Sequence, residues 1–454
     1  MKRHFKVLIV VGLFSAIALV QILSWASSMR NPVLERSASI GITSEITPQG
    51  LLSHSIPDTT ANASQLRRGQ YLVTVGDCVS CHLGKGGQPL AGGLGLGTPF
   101  GVIYSSNITS DQQTGIGSWT ADQFYRAMRS GIGAHGENLY PAFPYPSFRL
   151  ITREDSDAIL AFLKSTPAVN YTPPSNGLHF PLNIRASVKG WNLLYLNDEE
   201  FKTNSTQSSD WNRGAYLVNG LGHCGSCHTP KNSLGADQGD RFLQGGLVEG
   251  WLAPDLTRNA RTGLGRWTTE QIVEYLQTGR NAYAAAGAQM GEVITYSTSL
   301  MTPEDLRAIA VYLKSLPSSK PVTVETASAS SLRRGAAIYS DACTGCHLEN
   351  GVGQPRLFPP LGNNSMVQQE DPIGLIHAIL GGTHVGVSPS RSTPFSMPSF
   401  AWKLSDAEIA DVVTYIRNSW GNQGSPVKTD DVRDLRSRLD LNTIHYTANS
   451  GDQH

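Results

Sequence analysis

The chain has 454 residues, of which 40% are apolar and only 16% charged, with 46 glycines and 25 prolines. That length suits about three domains. Lys+Arg and Asp+Glu balance at 36 each, so no global field argues for nucleic acid or a strongly charged partner.

Lys2, Arg3 and Lys6 precede an apolar run over 7–26. A run of about 20 residues is long enough to cross a bilayer, so residues 1–26 are predicted to form a single-pass transmembrane anchor in the cytoplasmic (inner) membrane. The basic flank would stay inside, and everything after it would lie on the periplasmic side. Ser24-Trp25-Ala26 leaves signal cleavage as the competing expectation. Residues 27–64 read as a Ser/Thr/Pro-containing linker.

An internal repeat follows. Arg68-Gly69-Gln70-Tyr71, Arg213-Gly214-Ala215-Tyr216 and Arg334-Gly335-Ala336-Ala337 each begin a predicted helix that runs into a five-residue motif. The motifs are Cys78-Val79-Ser80-Cys81-His82, Cys224-Gly225-Ser226-Cys227-His228 and Cys343-Thr344-Gly345-Cys346-His347. Each unit closes with a predicted helix, over 151–165, 301–315 and 404–420. Thr302, Pro303 and Asp305 give the second closing helix a start signal, and Ser405 with Glu408 makes a capping box for the third. The first two units share a further segment: Asn107-Ile108-Thr109 and Thr114-Gly115 recur as Asp255-Leu256-Thr257 and Thr262-Gly263. An amphipathic helix follows each copy, and the third unit lacks the segment. The predicted organisation is three tandem units at 65–170, 210–318 and 332–422, with linkers at 171–209 and 319–331 and a tail at 423–454.

Cys-x-x-Cys-His is the attachment pattern of a c-type haem, in which both thiols bond to the porphyrin and the adjacent His ligates iron. The three copies use all six cysteines. Zinc would need two pairs gathered in one module, and neither zinc nor dithiol chemistry needs a His after each second Cys. The expectation is therefore three covalent haem c groups held by Cys78, Cys81, Cys224, Cys227, Cys343 and Cys346, with iron on His82, His228 and His347. The fold class expected is mainly α: three tandem cytochrome c domains with long irregular loops, plus the N-terminal helix.

A thioether is the usual sixth ligand of such an iron. Of the seven methionines, Met1 and Met29 precede the units, Met128 aligns with Leu276 on a helix face, and Met301 sits at a packing position matched by Ile151 and Leu404, kept as a reserve ligand by its nearness to the second motif. Met366 follows its His closely. Met290 and Met397 remain as predicted ligands of the second and third irons. The first unit has Phe143 at the corresponding place, and the nearby loop His135 is the nearest alternative donor.

Over 65–423 the chain resembles the triple-haem cytochrome c subunits of bacterial membrane-bound dehydrogenases that oxidise alcohols, aldehydes, gluconate or sorbitol. The resemblance rests on Asp77 through His82, Thr98-Pro99-Phe100-Gly101, Tyr140 through Pro146, Leu221 through Asn232, Gly279 through Ala286 and Phe395 through Trp402. It implies an electron-transfer subunit passing electrons from a periplasmic catalytic subunit to ubiquinone. Phe180-Pro181-Leu182-Asn183-Ile184-Arg185 with Gly190-Trp191-Asn192 is most similar to members with a molybdopterin aldehyde dehydrogenase and a small iron–sulfur subunit. Quinoprotein or flavoprotein partners stay open. No independent substrate-converting site or nucleic-acid partner is expected. The alternative of another class is a haem enzyme or small-ligand sensor using an open first iron.

Overall fold

The computed structural model describes residues 48–84, 87–321, 323–391, 393 and 395–439. Three helix-rich units follow one another, and each is built on one crossing of helices. In the first, α1 (Ala63–Val75) leads into the motif helix α2 (Cys78–His82), and the chain returns through hairpin β1 (Gly95–Thr98)–β2 (Gly101–Tyr104), helix α3 (Ala121–Ser130) and closing helix α4 (Arg153–Ser165). The segment 171–209 is structured: β3 (Gly177–Leu178) pairs with β2, and α5 (Ser187–Tyr195) follows.

The second unit repeats the plan with α6 (Ser209–Asn219), α7 (Gly225–His228), hairpin β4 (Gln244–Val248)–β5 (Trp251–Asp255), α8 (Thr269–Thr278), α9 (Ala288–Tyr296) and α10 (Pro303–Ser315). In the third, α11 (Ala329–Ala342) and α12 (Thr344–His347) are followed by α13 (Ile373–Gly381), the short pair β6 (Thr383–His384)–β7 (Ser396–Met397) and α14 (Asp406–Ile416). Helix α15 (Thr429–Arg438) then packs on α14 and α13.

The opening helix of each unit crosses its closing helix at the repeated glycine. A Cβ on Gly69, Gly214 or Gly335 would overlap the carbonyl of Ala158, Ala308 or Asp411, so the residue without a side chain lets the backbones touch. The arginine before each glycine is tied to the same closing helix. Arg68 Nε bonds Asp155 Oδ1 at 2.7 Å, Arg213 bonds both oxygens of Asp305 at 2.7 Å, and Arg334 bonds Asp411 at 2.5 and 3.0 Å.

Units one and two are fused. Tyr71 of α1 donates to Asp305 of α10 at 2.6 Å, and Tyr216 of α6 donates to Asp155 of α4 at 2.5 Å, a reciprocal exchange. The same hydroxyls accept from the helix-capping backbone N–H groups of Thr302 and Thr152. One continuous apolar cluster runs through both units, from Leu72 and Val73 to Leu217, Leu306 and Leu313, while the third unit has a core of its own around Ile376, Leu380, Ile409 and Val413. Asp155 and Asp305 hold these partners rather than folding back onto the cap, so only Ser405–Glu408 makes the full capping box among the closing helices.

The expected transmembrane anchor is not supported. Among the described residues no helix is long and apolar enough to cross a membrane. The run over 7–26 that suggested the anchor, and with it the placement in the inner membrane, lies outside the described residues.

Candidate haem-binding sites

Each motif folds as one helical turn placed by the helix before it, which brings the two cysteines and the histidine of one motif to a common edge. Cys78, Cys81, Cys224, Cys227 and Cys343 are half-buried, and Cys346 is exposed. Burial pushes the Cys78 and Cys224 thiols up to about 12, and burial again, partly offset by Lys403, takes Cys343 to about 11. A reactive dithiol requires the opposite, a thiolate stabilised near neutral pH. Among the described residues no three His, Cys, Asp or Glu side chains converge as a metal cluster.

The three histidines share one arrangement. His82 Nδ1 lies 2.6 Å from the Ser106 carbonyl, His228 Nδ1 lies 2.7 Å from that of Pro254, and His347 Nδ1 lies 3.1 Å from that of Pro359. A carbonyl can only accept, so Nδ1 carries the proton and Nε2 keeps its lone pair for a metal. Backbone orientation of the second ring nitrogen is the usual support of a ligating imidazole. Burial also lowers the affinity of all three rings for a second proton, against the opposing pull of the carbonyls. Two thiols and one ligand-ready imidazole per motif fit a covalently attached haem.

The segment repeated in the first two units explains how those carbonyls are placed. Asn107 Oδ1 accepts from the backbone and hydroxyl of Thr109, and its amide reaches Thr114 and the Val169 carbonyl. Asp255 likewise accepts from the Thr257 N–H and the Thr262 hydroxyl. These turns hold the preceding residues, Ser106 and Pro254, against the histidine rings. The sequence showed the repeated Asn/Asp-x-Thr pattern, but not that its product is the neighbouring carbonyl.

Met290 lies half-buried on α9, and Met397 lies half-buried on β7 opposite Thr383. Met128 and Met301 are buried in the shared core, and the Met366 sulfur packs against Gly374. His135 is exposed, and its backbone N–H bonds Glu137.

A family model for cytochrome c matches residues 66–167, 212–317 and 332–420, one stretch per unit. The chain belongs to the cytochrome c family. This cytochrome is similar along most of its length to named dehydrogenase subunits. It is 39% identical over 411 residues to the gluconate 2-dehydrogenase cytochrome c subunit of Pantoea cypripedii, covering 85% of this chain and 93% of that one. It is 36% identical over 400 residues to the cytochrome c subunit of the quinone alcohol dehydrogenase of Gluconobacter oxydans, covering 83% of each. It is also 34% identical over 411 residues to the fructose dehydrogenase cytochrome subunit of Gluconobacter japonicus, covering 83% of this chain and 84% of that one. The chain is thus a multi-haem cytochrome subunit of the dehydrogenase type.

Proposed function

We propose that this cytochrome relays electrons from the catalytic subunit of a dehydrogenase to ubiquinone through three haem c groups, one at each Cys-x-x-Cys-His motif. The observation that carries this reading is the threefold Nδ1-to-carbonyl arrangement of His82, His228 and His347. When bound, the haem iron supplies one-electron chemistry. Cys78 and Cys81, Cys224 and Cys227, and Cys343 and Cys346 would fix the porphyrins by thioether bonds. The histidine rings, held by Ser106, Pro254 and Pro359, would present Nε2 to the metal. Met290 and Met397 would give sulfur to the second and third irons, favouring the ferrous state and a higher potential.

The relatives' names support a dehydrogenase as donor, and that of the alcohol dehydrogenase points to quinone chemistry. The substrate class we assign is an aldehyde or alcohol, oxidised by a molybdopterin subunit with a small iron–sulfur subunit. That choice rests on the likeness at 180–192. The test is the intact complex: adding substrate should reduce all three haems, and a soluble ubiquinone analogue should then reoxidise them. Haems that stay ferric with substrate present would overturn the relay.

A further inference from the structure

The first unit departs from the second in the segment that carries the second unit's methionines. Helices α3 and α8 end in glycines with left-handed backbone, Gly131 at φ 63 and Gly279 at φ 75. After each, the chain folds back and bonds the glycine carbonyl, from Leu139 N at 2.7 Å in unit one and from Ala286 N at 2.8 Å in unit two. Those bonds put Leu139 in register with Ala286, and four residues further on Phe143 occupies the place of Met290. At the far end of the same segment Ile151, before the cap Thr152, stands where Met301 precedes Thr302. Both methionines of the second unit's segment are therefore replaced by hydrocarbon in the first.

Within 65–170 no other methionine takes that place. The one methionine in 65–170 is Met128, 5% exposed within the core on α3. His54, His135 and His179 are exposed. His223 of the second unit meets Phe148 edge-on at 5.4 Å, and with its Nδ1 at the Leu221 carbonyl its Nε2 keeps a lone pair, so a second imidazole is the rival ligand that the spectra must exclude. Phe143 is held in turn, edge-on to Phe148 at 5.4 Å and tilted against Tyr145 at 6.4 Å, while the Tyr145 hydroxyl is pinned on Asn192 at 2.6 Å.

We infer that Phe143 roofs the first haem in place of a sulfur ligand, leaving its iron five-coordinate on His82 and open to a small uncharged diatomic ligand such as carbon monoxide or nitric oxide. The inference rests on the haem assignment above. An open distal position and its polarity decide which ligands an iron accepts. Phe143 and Phe148 offer no hydrogen-bond donor, so this roof favours a neutral diatomic over an anion, which would be desolvated without a partner. Ligation forms one iron–ligand bond and moves no electron.

The experiment uses full-length protein carrying its haems. Covalent haem is counted first in denaturant, so that a failure of the haem assignment is recognised separately. Carbon monoxide is then titrated into the dithionite-reduced protein. The expected result is uptake of one carbon monoxide per chain and a single high-spin component in the ferric spectrum. Phe143→Met should convert that component to low spin and suppress the uptake at least tenfold, whereas Phe143→Leu should keep it. Three low-spin irons with no uptake, a bis-imidazole signature at the first iron, or uptake unchanged by Phe143→Met would overturn the proposal. Should Phe143→Met fail to fold, the wild-type stoichiometry and spin state still decide it.

Discussion

The first two units and the third use the same helix crossing but are held in the molecule differently. In units one and two the tyrosine three places after the arginine reaches across to the other unit's closing helix, so that Tyr71 serves Asp305 and Tyr216 serves Asp155. The third unit has Ala337 at that place and makes no such exchange. Its arginine takes Asp411, one helical turn further along, which frees Glu408 to bond back to Ser405 N at 2.8 Å and complete the capping box. It meets the second unit through polar contacts, the packing of α13 on β5 and an aromatic stack: Gln369 on the Thr262 carbonyl at 2.5 Å, Arg280 on that of Thr393 at 2.8 Å, Thr295 on that of Val387 at 3.0 Å, and His377 flat on Trp251 at 3.8 Å. The tyrosine–carboxylate exchange thus goes with a shared core between units one and two, and its absence at Ala337 with a separate core in the third.

The strongest way to break this contrast is at the carboxylates. Asp305→Ala removes the partner of Arg213 and the acceptor of Tyr71 at once. It should cost about 3–4 kcal/mol and lower the melting of units one and two together. Asp411→Ala leaves an arginine whose side chain is 60% exposed, against 36% for Arg213, and should cost clearly less than Asp305→Ala, in the third unit alone. Calorimetry of the two variants checks this, and equal losses would remove the distinction. Burial works to raise the Asp305 pKa, but the bonds from Arg213 and Tyr71 outweigh it and leave the carboxyl below its usual range. Its contribution is therefore complete above about pH 4 and is lost only as the pH falls through the lower folded value.

The docking of the third unit should be the more acid-sensitive. His377 is buried against Trp251 with Nδ1 on the Gly250 carbonyl at 2.9 Å, and burial, with Arg438 nearby, depresses its pKa to about 4. The unfolded ring titrates near 6.5, so the neutral ring's contribution is whole above that pH and fades as the pH drops toward 4, by up to about 3 kcal/mol. Melting of the third unit should fall between pH 7 and pH 5, and His377→Gln should flatten that dependence. A wild-type melt that is level over this range would contradict the role of the stack.

The smallest expected effect sharpens the comparison most finely. Tyr71→Phe and Tyr216→Phe each remove a hydroxyl that donates to a carboxylate and accepts from a capping N–H, and should each cost about 1–1.5 kcal/mol. The reciprocal geometry predicts similar losses from the two, measured by urea unfolding. A large loss from one and none from the other would show that the exchange is not symmetric in energy.

Much of the fold was legible because local rules govern it. The Arg-Gly starts, the caps at Thr302 and Ser405, and the motif turns all depend on residues close in sequence. The fusion of the first two units was not legible, since it joins residues 234 apart and nothing in either helix names its partner. The pattern Arg-Gly-x-Tyr, present twice and broken at Ala337, was the available signal. Residues 171–209 read as a linker by composition, yet β3 and α5 form there because β2 offers an edge and Tyr145 a hydroxyl partner in Asn192. At the sites the cysteines, histidines and the Phe143 substitution stood in plain view. The carbonyls that orient the histidines did not, because a backbone acceptor has no letter of its own.

The most direct test of the central claim is intact-mass and absorbance measurement of the full chain after denaturation. The account predicts a chain carrying three covalently attached haems. A chain that sheds its haem on unfolding, or retains fewer than three, would contradict it.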